Sequence, residues 1–295
     1  MDAALNLADS SATIDRLVAE ASAALSAAGV GSSRLDAELL LATASGLDRT
    51  ALYVRRADRL PQQCTEQFRI LLQRRMRREP LQYIVGRQEF WSLDFLVTPN
   101  VLVPRPETEL LVELGSSLLG SSQRAGTARR RICDVGTGSG CIAVALAHEL
   151  PGVDVWALDV SMQALAVAEL NAQRLGVAER IHFLRSDLLA TVSMRRFDVI
   201  VSNPPYLTAM DLTNLQPEVA CEPRTALDGG ADGLEVIRRL LASAPDNLVA
   251  GGWLLMEIGA AQAALVSDLA RGAGFSDVSI RSDYAGLPRV LIGRC

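Results

Sequence analysis

The sequence predicts an α/β chain: a seven-stranded sheet, parallel until it ends in an antiparallel hairpin, preceded by a small helical bundle. Three observations predict it. From Arg131 onward, short apolar and β-branched runs alternate with stretches of helical periodicity, the pattern of a sheet covered by helices. Before residue 80 only helical spacing is present. At 295 residues, 49% of them hydrophobic, the chain exceeds the usual single domain and has the material for a large core. The expected organisation is a helical domain over 1–79, a β-hairpin linker over 80–104 and a sheet domain over 105–295.

Helices are expected at Thr13 to Val30, Ser33 to Leu47, Ala51 to Arg56 and Pro61 to Arg78, a bundle of four or five. In the last of these Cys64, Phe68, Leu71 and Leu72 recur at helical spacing, and Pro61 suits a first turn, where a missing N–H costs nothing. From Tyr83 to Val103 the pattern changes to short β-like pieces punctuated by Gly86 and Pro99. Pro106 opens a further helix, with Glu107 and Glu109 in the first turn, where the aligned peptide dipoles favour acids. Ser121 to Arg131, rich in Ser, Gly and Arg, reads as a poorly ordered loop. The sheet strands are Ile132 to Val135, Val153 to Leu158, Ile181 to Leu184, Val199 to Ser202, Trp253 to Ile258, Val278 to Arg281 and Arg289 to Ile292. Between the last two, Asp283 to Pro288 is too short for a helical crossover, so they pair antiparallel. In such a sheet ligands collect beyond the C-terminal strand ends, where Gly136 to Gly140, Asp159, Asp187 and Asn203 all fall.

Two of those strand ends carry motifs. The first is Ser202-Asn203-Pro204-Pro205-Tyr206. A planar nitrogen conjugated to a carbonyl or a ring is a poor nucleophile, so a site that alkylates one must hold its N–H groups and aim the lone pair. Asn203 offers a side-chain carbonyl, and Pro204 and Pro205 lack an N–H and have nearly fixed φ. Asn203, preceding proline, is pushed to an extended conformation, which sets the direction of the Pro204 carbonyl; Tyr206 supplies a face to stack on a planar group. The same residues also suit an ordinary proline-rich turn after a strand. The second motif is Gly136-Thr137-Gly138-Ser139-Gly140, between the strand ending at Val135 and a helix from Cys141 to Leu150. Alternate glycines let the backbone approach a ligand, and the helix start behind them offers free N–H groups. Cys141 stands where a dinucleotide fingerprint has its third glycine, which favours a ligand without a pyrophosphate. Asp159 ends the next strand about 20 residues on, where an acid takes ribose hydroxyls in nucleotide-binding units, although an acid there also serves as a helix cap, here for Ser161 onward.

Together these residues resemble the class I S-adenosylmethionine-dependent methyltransferases, and Asn203 to Tyr206 resembles the motif of enzymes that methylate planar nitrogens. Further segments are similar to the peptide chain release factor N5-glutamine methyltransferase family (HemK/PrmC): Pro80 to Gly86, Phe90, Val103 to Glu109, Glu222-Pro223, Ala226 to Leu234 and Glu257-Ile258-Gly259. The resemblance covers residues 80–295, and the first 80 in general character only. It implies a Rossmann-like methyltransferase sheet and S-adenosylmethionine bound by Gly136, Thr137, Gly138, Ser139, Gly140, Asp159, Asp187, Leu188 and Asn203. It further implies Asn203, Pro204 and Tyr206 as catalytic residues, with Pro205 joining them around the substrate. That substrate is the glutamine in the Gly-Gly-Gln motif of a class 1 release factor, methylated on its side-chain nitrogen. Many relatives carry an aromatic over the adenine where this chain has Leu188. Three other readings stay open: an N-methyltransferase for a ribosomal-protein glutamine or a nucleic-acid base; a nicotinamide-dependent oxidoreductase, which leaves residues 202–206 without a role; and a non-catalytic binding module that keeps the cofactor fold, against which the intact cofactor and acceptor motifs argue.

Composition narrows the partners. The formal charge is −5 and every one of the 29 basic residues is arginine, so direct nucleic-acid binding is not expected. Arginines at 55, 56, 59, 69, 74, 75, 77, 78 and 87 outnumber Asp58, Glu66 and Glu79, and this stretch is either a docking patch or a solvated helix face. Without a membrane-length apolar run or a basic leader, a cytoplasmic protein is expected, and it is expected to act as a monomer. Cys64, Cys133, Cys141, Cys221 and Cys295 show no C-x-x-C, and His148 and His182 lie far apart, so no metal or disulfide is expected; Cys141 reads as a buried packing thiol.

Overall fold

In the computed structural model, which describes residues 12–120, 129–193 and 195–295, the chain divides into two compact units. Met1–Gly86 with Gln216–Cys221 form one, and Arg87–Leu215 with Glu222–Cys295 form the other. No helix among the described residues is long and apolar enough to cross a membrane.

The first unit holds α1 (Ile14–Ala27), α2 (Ser33–Ser45), α3 (Arg49–Val54), α4 (Gln62–Met76) and α5 (Leu81–Val85). Local chemistry sets the ends. Asp48 accepts the Ala51 N–H at 2.7 Å to start α3, and Gly46 at φ +70 closes α2 in a conformation that L side chains resist. Pro61 is the cap residue before α4 rather than part of its first turn. The β-like reading of Tyr83 to Val85 is corrected: these residues form α5, with Tyr83 and Ile84 buried. Over five residues the two periodicities are indistinguishable. Leu17, Leu25, Leu40, Leu41, Phe68 and Leu72 fill the core.

Part of the arginine-rich stretch is paired within this unit. Arg75 is buried, its Nε 2.7 Å from Asp36 Oδ2 and its Nη1 2.9 Å from Glu218 Oε1. Arg78 donates to both oxygens of Glu218, at 2.6 and 2.7 Å, while Arg74 pairs with Glu79 and Arg55 with Asp58. Burial works to raise the Glu218 pKa, but the Arg78 and Arg75 bonds overcome it and bring the carboxyl to about 2. The two acids that neutralise Arg75 lie 39 and 143 residues away in the chain, so counting charges along the stretch missed them.

In the second unit β1 (Arg87–Phe90) and β2 (Leu93–Leu96) form the expected hairpin. Pro106–Thr108 makes one 3-10 turn and leads into α6 (Glu109–Gly120). The loop expected at Ser121 to Arg131 lies outside the described residues through 128, and Arg130 and Arg131 already belong to β3 (Arg130–Val135). There follow α7 (Cys141–Glu149), β4 (Val153–Asp159), α8 (Met162–Arg174), β5 (Ile181–Arg185), β6 (Phe197–Ser202), α9 (Glu235–Ser243), β7 (Leu248–Glu257), α10 (Ala263–Gly272), β8 (Ser276–Ser282) and β9 (Pro288–Arg294). The sheet order is β5-β4-β3-β6-β7-β9-β8, parallel through β7, with β9 antiparallel to both neighbours.

Both faces of the central strands are buried, which explains why they read as continuous apolar runs. Ile132, Val155, Val199 and Leu255 pack on one side, and Cys133, Trp156, Ile200 and Leu254 on the other. The strand order reverses between β3 and β6, which opens a crevice at their C-terminal ends. Register does the rest. Val135 is paired with both Leu158 and Ser202, and Ser202 with Met256. The next residues, Gly136, Asp159, Asn203 and Glu257, therefore leave the sheet side by side.

Candidate active site

The glycine turn is folded back over the end of β4. The N–H groups of Gly136 and Thr137 both donate to the Leu158 carbonyl, at 2.8 and 2.9 Å. Beneath it Asp134, fully buried, accepts the Thr137 hydroxyl at 2.7 Å and the Ala143 N–H at 3.2 Å. Burial pushes its carboxyl up to about 7, against the pull of those two bonds. The glycines differ in purpose. A Cβ on Gly140, at φ +80, would lie 2.9 Å from the Ala168 Cβ, so this residue lets α7 start against α8. Gly136, at φ +77, has nothing within 4 Å of that position and faces the cleft. Cys141 is buried and its thiol is pushed up to about 12, chiefly by burial, which makes it a packing group.

The cleft above the turn has a volume of about 660 Å³. Of the residues expected to bind the cofactor, Gly136, Thr137, Gly138, Ser139, Asp159, Asp187, Leu188 and Asn203 line it. Gly140, Pro204 and Tyr206 do not, whereas Pro205 does. Asp159 Oδ2 accepts the Gly138 N–H and Oδ1 the Ser161 N–H, both at 2.9 Å. The cap of α8 is Ser161, which accepts the Ala164 N–H, so Asp159 braces the loop and the helix entry while still facing the cleft. Burial raises its pKa against the backbone bonds. Asp187 Oδ2 accepts from Arg239 Nη2 at 2.6 Å, and Leu188 holds a left-handed φ of +49 at the cleft wall.

Asn203 and Tyr206 are held by residues from two other segments. Asn203 Nδ2 donates to Thr108 Oγ1 at 3.2 Å, and that hydroxyl donates to Glu257 Oε2 at 2.7 Å. Tyr206 directs its hydroxyl to Glu257 Oε1 at 3.4 Å, and its pKa rises to about 12, mainly through burial and then the Glu257 charge. Behind them, the Leu207 N–H donates to the Leu227 carbonyl and the Gly229 N–H to the Leu207 carbonyl. Gln262 Nε2 bridges the Tyr206 and Gly233 carbonyls at 3.2 and 3.1 Å, and a Cβ on Gly233 would collide with the Tyr206 carbonyl. The segment Ala226 to Leu234 thus backs the Pro-Pro-Tyr turn. Sequence reasoning placed Thr108 and Glu257 only within similar segments, and missed Asn171, which is buried. Its side chain accepts the Leu96 N–H and donates to the Leu96 and Ser139 carbonyls.

The arrangement offers a nucleotide-sized cleft beside fixed oxygen acceptors, and among the described residues no group of His, Cys, Asp and Glu is placed to hold a metal ion. Residues 16–86 match the PrmC N-terminal domain model and 109–230 the methyltransferase small domain model. Proteins named release factor glutamine methyltransferase are similar along nearly their whole length. The Geobacter sulfurreducens protein is 45% identical over 90% of this chain and 91% of its own. For Moorella thermoacetica the figures are 43%, 95% and 98%. For Pseudomonas aeruginosa they are 43%, 89% and 93%. Two solved structures share the fold at 20% identity: a methyltransferase from Pyrococcus furiosus (TM-score 0.51, 78% of this chain, 97% of that one) and the N-terminal domain of human METTL16 in complex with SAH (0.50, 69% and 76%).

Proposed function

The chain belongs to the release factor glutamine methyltransferase family, and from that premise we propose that it methylates the N5 amide nitrogen of the glutamine in the Gly-Gly-Gln motif of class 1 peptide chain release factors. S-adenosylmethionine is the donor, and the enzyme acts as a cytoplasmic monomer. The observation that carries this reading is the position of Asn203. It leaves the sheet one strand from the glycine turn, lines the same cleft, and is held through its NH2, which leaves its oxygen for a substrate N–H.

The residues fit the cofactor. Gly136 presents bare backbone to the cleft, Asp159 retains free lone pairs beside it, and Leu188 gives an apolar wall for an adenine. When bound, S-adenosylmethionine supplies a methyl group already activated on a sulfonium, so no strong base is required. The chain's own part is positioning. Asn203 Oδ1 and the Pro204 carbonyl accept the two N–H bonds of the glutamine amide and aim its lone pair. With the cofactor bound, its methyl–sulfur bond would break as the N–C bond forms, and the same two acceptors would stabilise the positive charge growing on the nitrogen until a proton leaves to water. Tyr206, anchored by Glu257, supports the far side of the amide. The helical unit takes the part of recognising the protein substrate.

Incubating the enzyme with a class 1 release factor and S-adenosylmethionine, then measuring the intact mass of the factor, tests the reading. A gain of one methyl group is expected. An unchanged mass, or methylation of ribosomal protein or nucleic acid in preference, overturns it.

A further inference from the structure

A carboxamide is nearly symmetric in shape and opposite in chemistry at its two ends. Turned one way, Asn203 shows the cleft an acceptor; turned the other, a donor that repels a substrate N–H. The surrounding hydrogen bonds decide between them. Thr108 has a single hydroxyl proton, and its Oγ1 lies 2.7 Å from Glu257 Oε2 and 3.2 Å from Asn203 Nδ2. An ionised carboxylate only accepts, so the Thr108 proton belongs to Glu257. The Thr108 oxygen is left as an acceptor, and only the NH2 of Asn203 satisfies it. Thr108 and Glu257 are 2% and 1% exposed, which denies water a competing place in this chain. The other Glu257 oxygen faces the Tyr206 hydroxyl, so one carboxylate orients both polar side chains of the motif.

We infer that Glu257, acting through Thr108, is a positioning residue for methyl transfer: its charge sets the direction of the hydrogen-bond chain and keeps the oxygen of Asn203, not its NH2, towards the substrate amide. The inference rests on the acceptor role proposed for Asn203. Protonation reverses the chain. A carboxylic O–H on Glu257 donates to Thr108, the Thr108 hydroxyl donates to the Asn203 oxygen, and Asn203 turns its NH2 to the cleft. The groups facing Glu257 are the Thr108 and Tyr206 hydroxyls, the Arg289 cation, the Glu107 carboxylate and the Cys141 thiol. Burial raises the Glu257 pKa, and Thr108, Arg289 and Tyr206 oppose the rise. The reversal therefore belongs to the acid side of the rate profile.

The test measures single-turnover methylation of a class 1 release factor against pH, together with S-adenosylmethionine affinity and thermal stability. It compares wild type, Glu257→Gln, Thr108→Val, Thr108→Ser, Asn203→Ala and the double variant Thr108→Val/Asn203→Ala. Thr108→Val keeps the shape and removes the relay, so its rate falls by about 10², the scale of one preorganised transition-state bond. Its cofactor affinity stays within twofold, and the acid limb of the wild-type profile disappears. Thr108→Ser recovers most of the lost rate. The double variant is no slower than Asn203→Ala alone, because both changes remove the same acceptor. Glu257→Gln is slow and also lacks the acid limb; if it does not fold, the Thr108 pair carries the test by itself. Wild-type rate and an intact acid limb in Thr108→Val overturn the inference, as does a Thr108→Ser as slow as Thr108→Val. A wild type that leaves the release factor unmethylated overturns the acceptor reading, and the inference falls with it. A methylating wild type beside an unaffected Thr108→Val overturns the inference alone.

Discussion

Replacing Asp159 by asparagine separates a ribose-binding carboxylate from a structural brace. A carboxylate has four acceptor positions, and the Gly138 and Ser161 N–H groups occupy one on each oxygen at 2.9 Å. The Val160 N–H also bears on this carboxylate, which leaves at least one position for a ribose hydroxyl. Asp159→Asn removes the charge and places an NH2 where one oxygen stood, so a charge-assisted bond from a hydroxyl is lost. A hydrogen bond to a charged group contributes about 1.5–3 kcal/mol. At about 1.4 kcal/mol per decade, S-adenosylmethionine affinity should fall roughly 10- to 150-fold by titration calorimetry. The wild-type affinity should also weaken on acidification, beginning above the pH at which an ordinary aspartate is protonated, because burial raises this carboxyl. Thermal stability should drop as well, since one backbone N–H loses its acceptor. A variant that melts lower but binds S-adenosylmethionine within twofold of wild type would show that Asp159 only braces the loop.

Arg75→Met removes the cation from buried Asp36 and one of the two arginines that hold Glu218, and breaking a buried pair in this way costs about 3–5 kcal/mol, measurable by urea denaturation. The stability that Glu218 draws from Arg78 and Arg75 is present above its unfolded pKa near 4.5 and is lost as pH falls towards about 2, so wild type should lose the Arg75 part of its advantage over the variant through that window. Gly140→Ala forces a left-handed alanine against Ala168 and should destabilise the second unit by about 1–3 kcal/mol, read as a lower melting temperature.

The seven sheet strands were legible within a few residues because alternation with helices and buried, β-branched runs leave little choice. Where the reading slipped, the cause was local. Gly251 and Gly252 concealed the start of β7 at Leu248, and the five residues of α5 were too few to show a period. The strand-end motifs, Gly136 to Gly140 and Asn203 to Tyr206, were visible because their chemistry is contiguous in the chain. Thr108 and Glu257 were not assigned to the site, since 149 residues separate them and neither is unusual alone. Their meaning comes from the sheet register that sets Asn203 beside Glu257. Arg75 makes the same point on the other unit: its charge was legible, its neutralisation by Asp36 and Glu218 was not.

Peptide mapping by mass spectrometry of a release factor treated with enzyme and S-adenosylmethionine tests the central claim most directly. One added methyl group on the side-chain nitrogen of the Gly-Gly-Gln glutamine is the predicted result, with the signal lost when that glutamine is replaced and strongly slowed in Asn203→Ala. Methylation at another residue, or at full rate without the Asn203 amide, would contradict it.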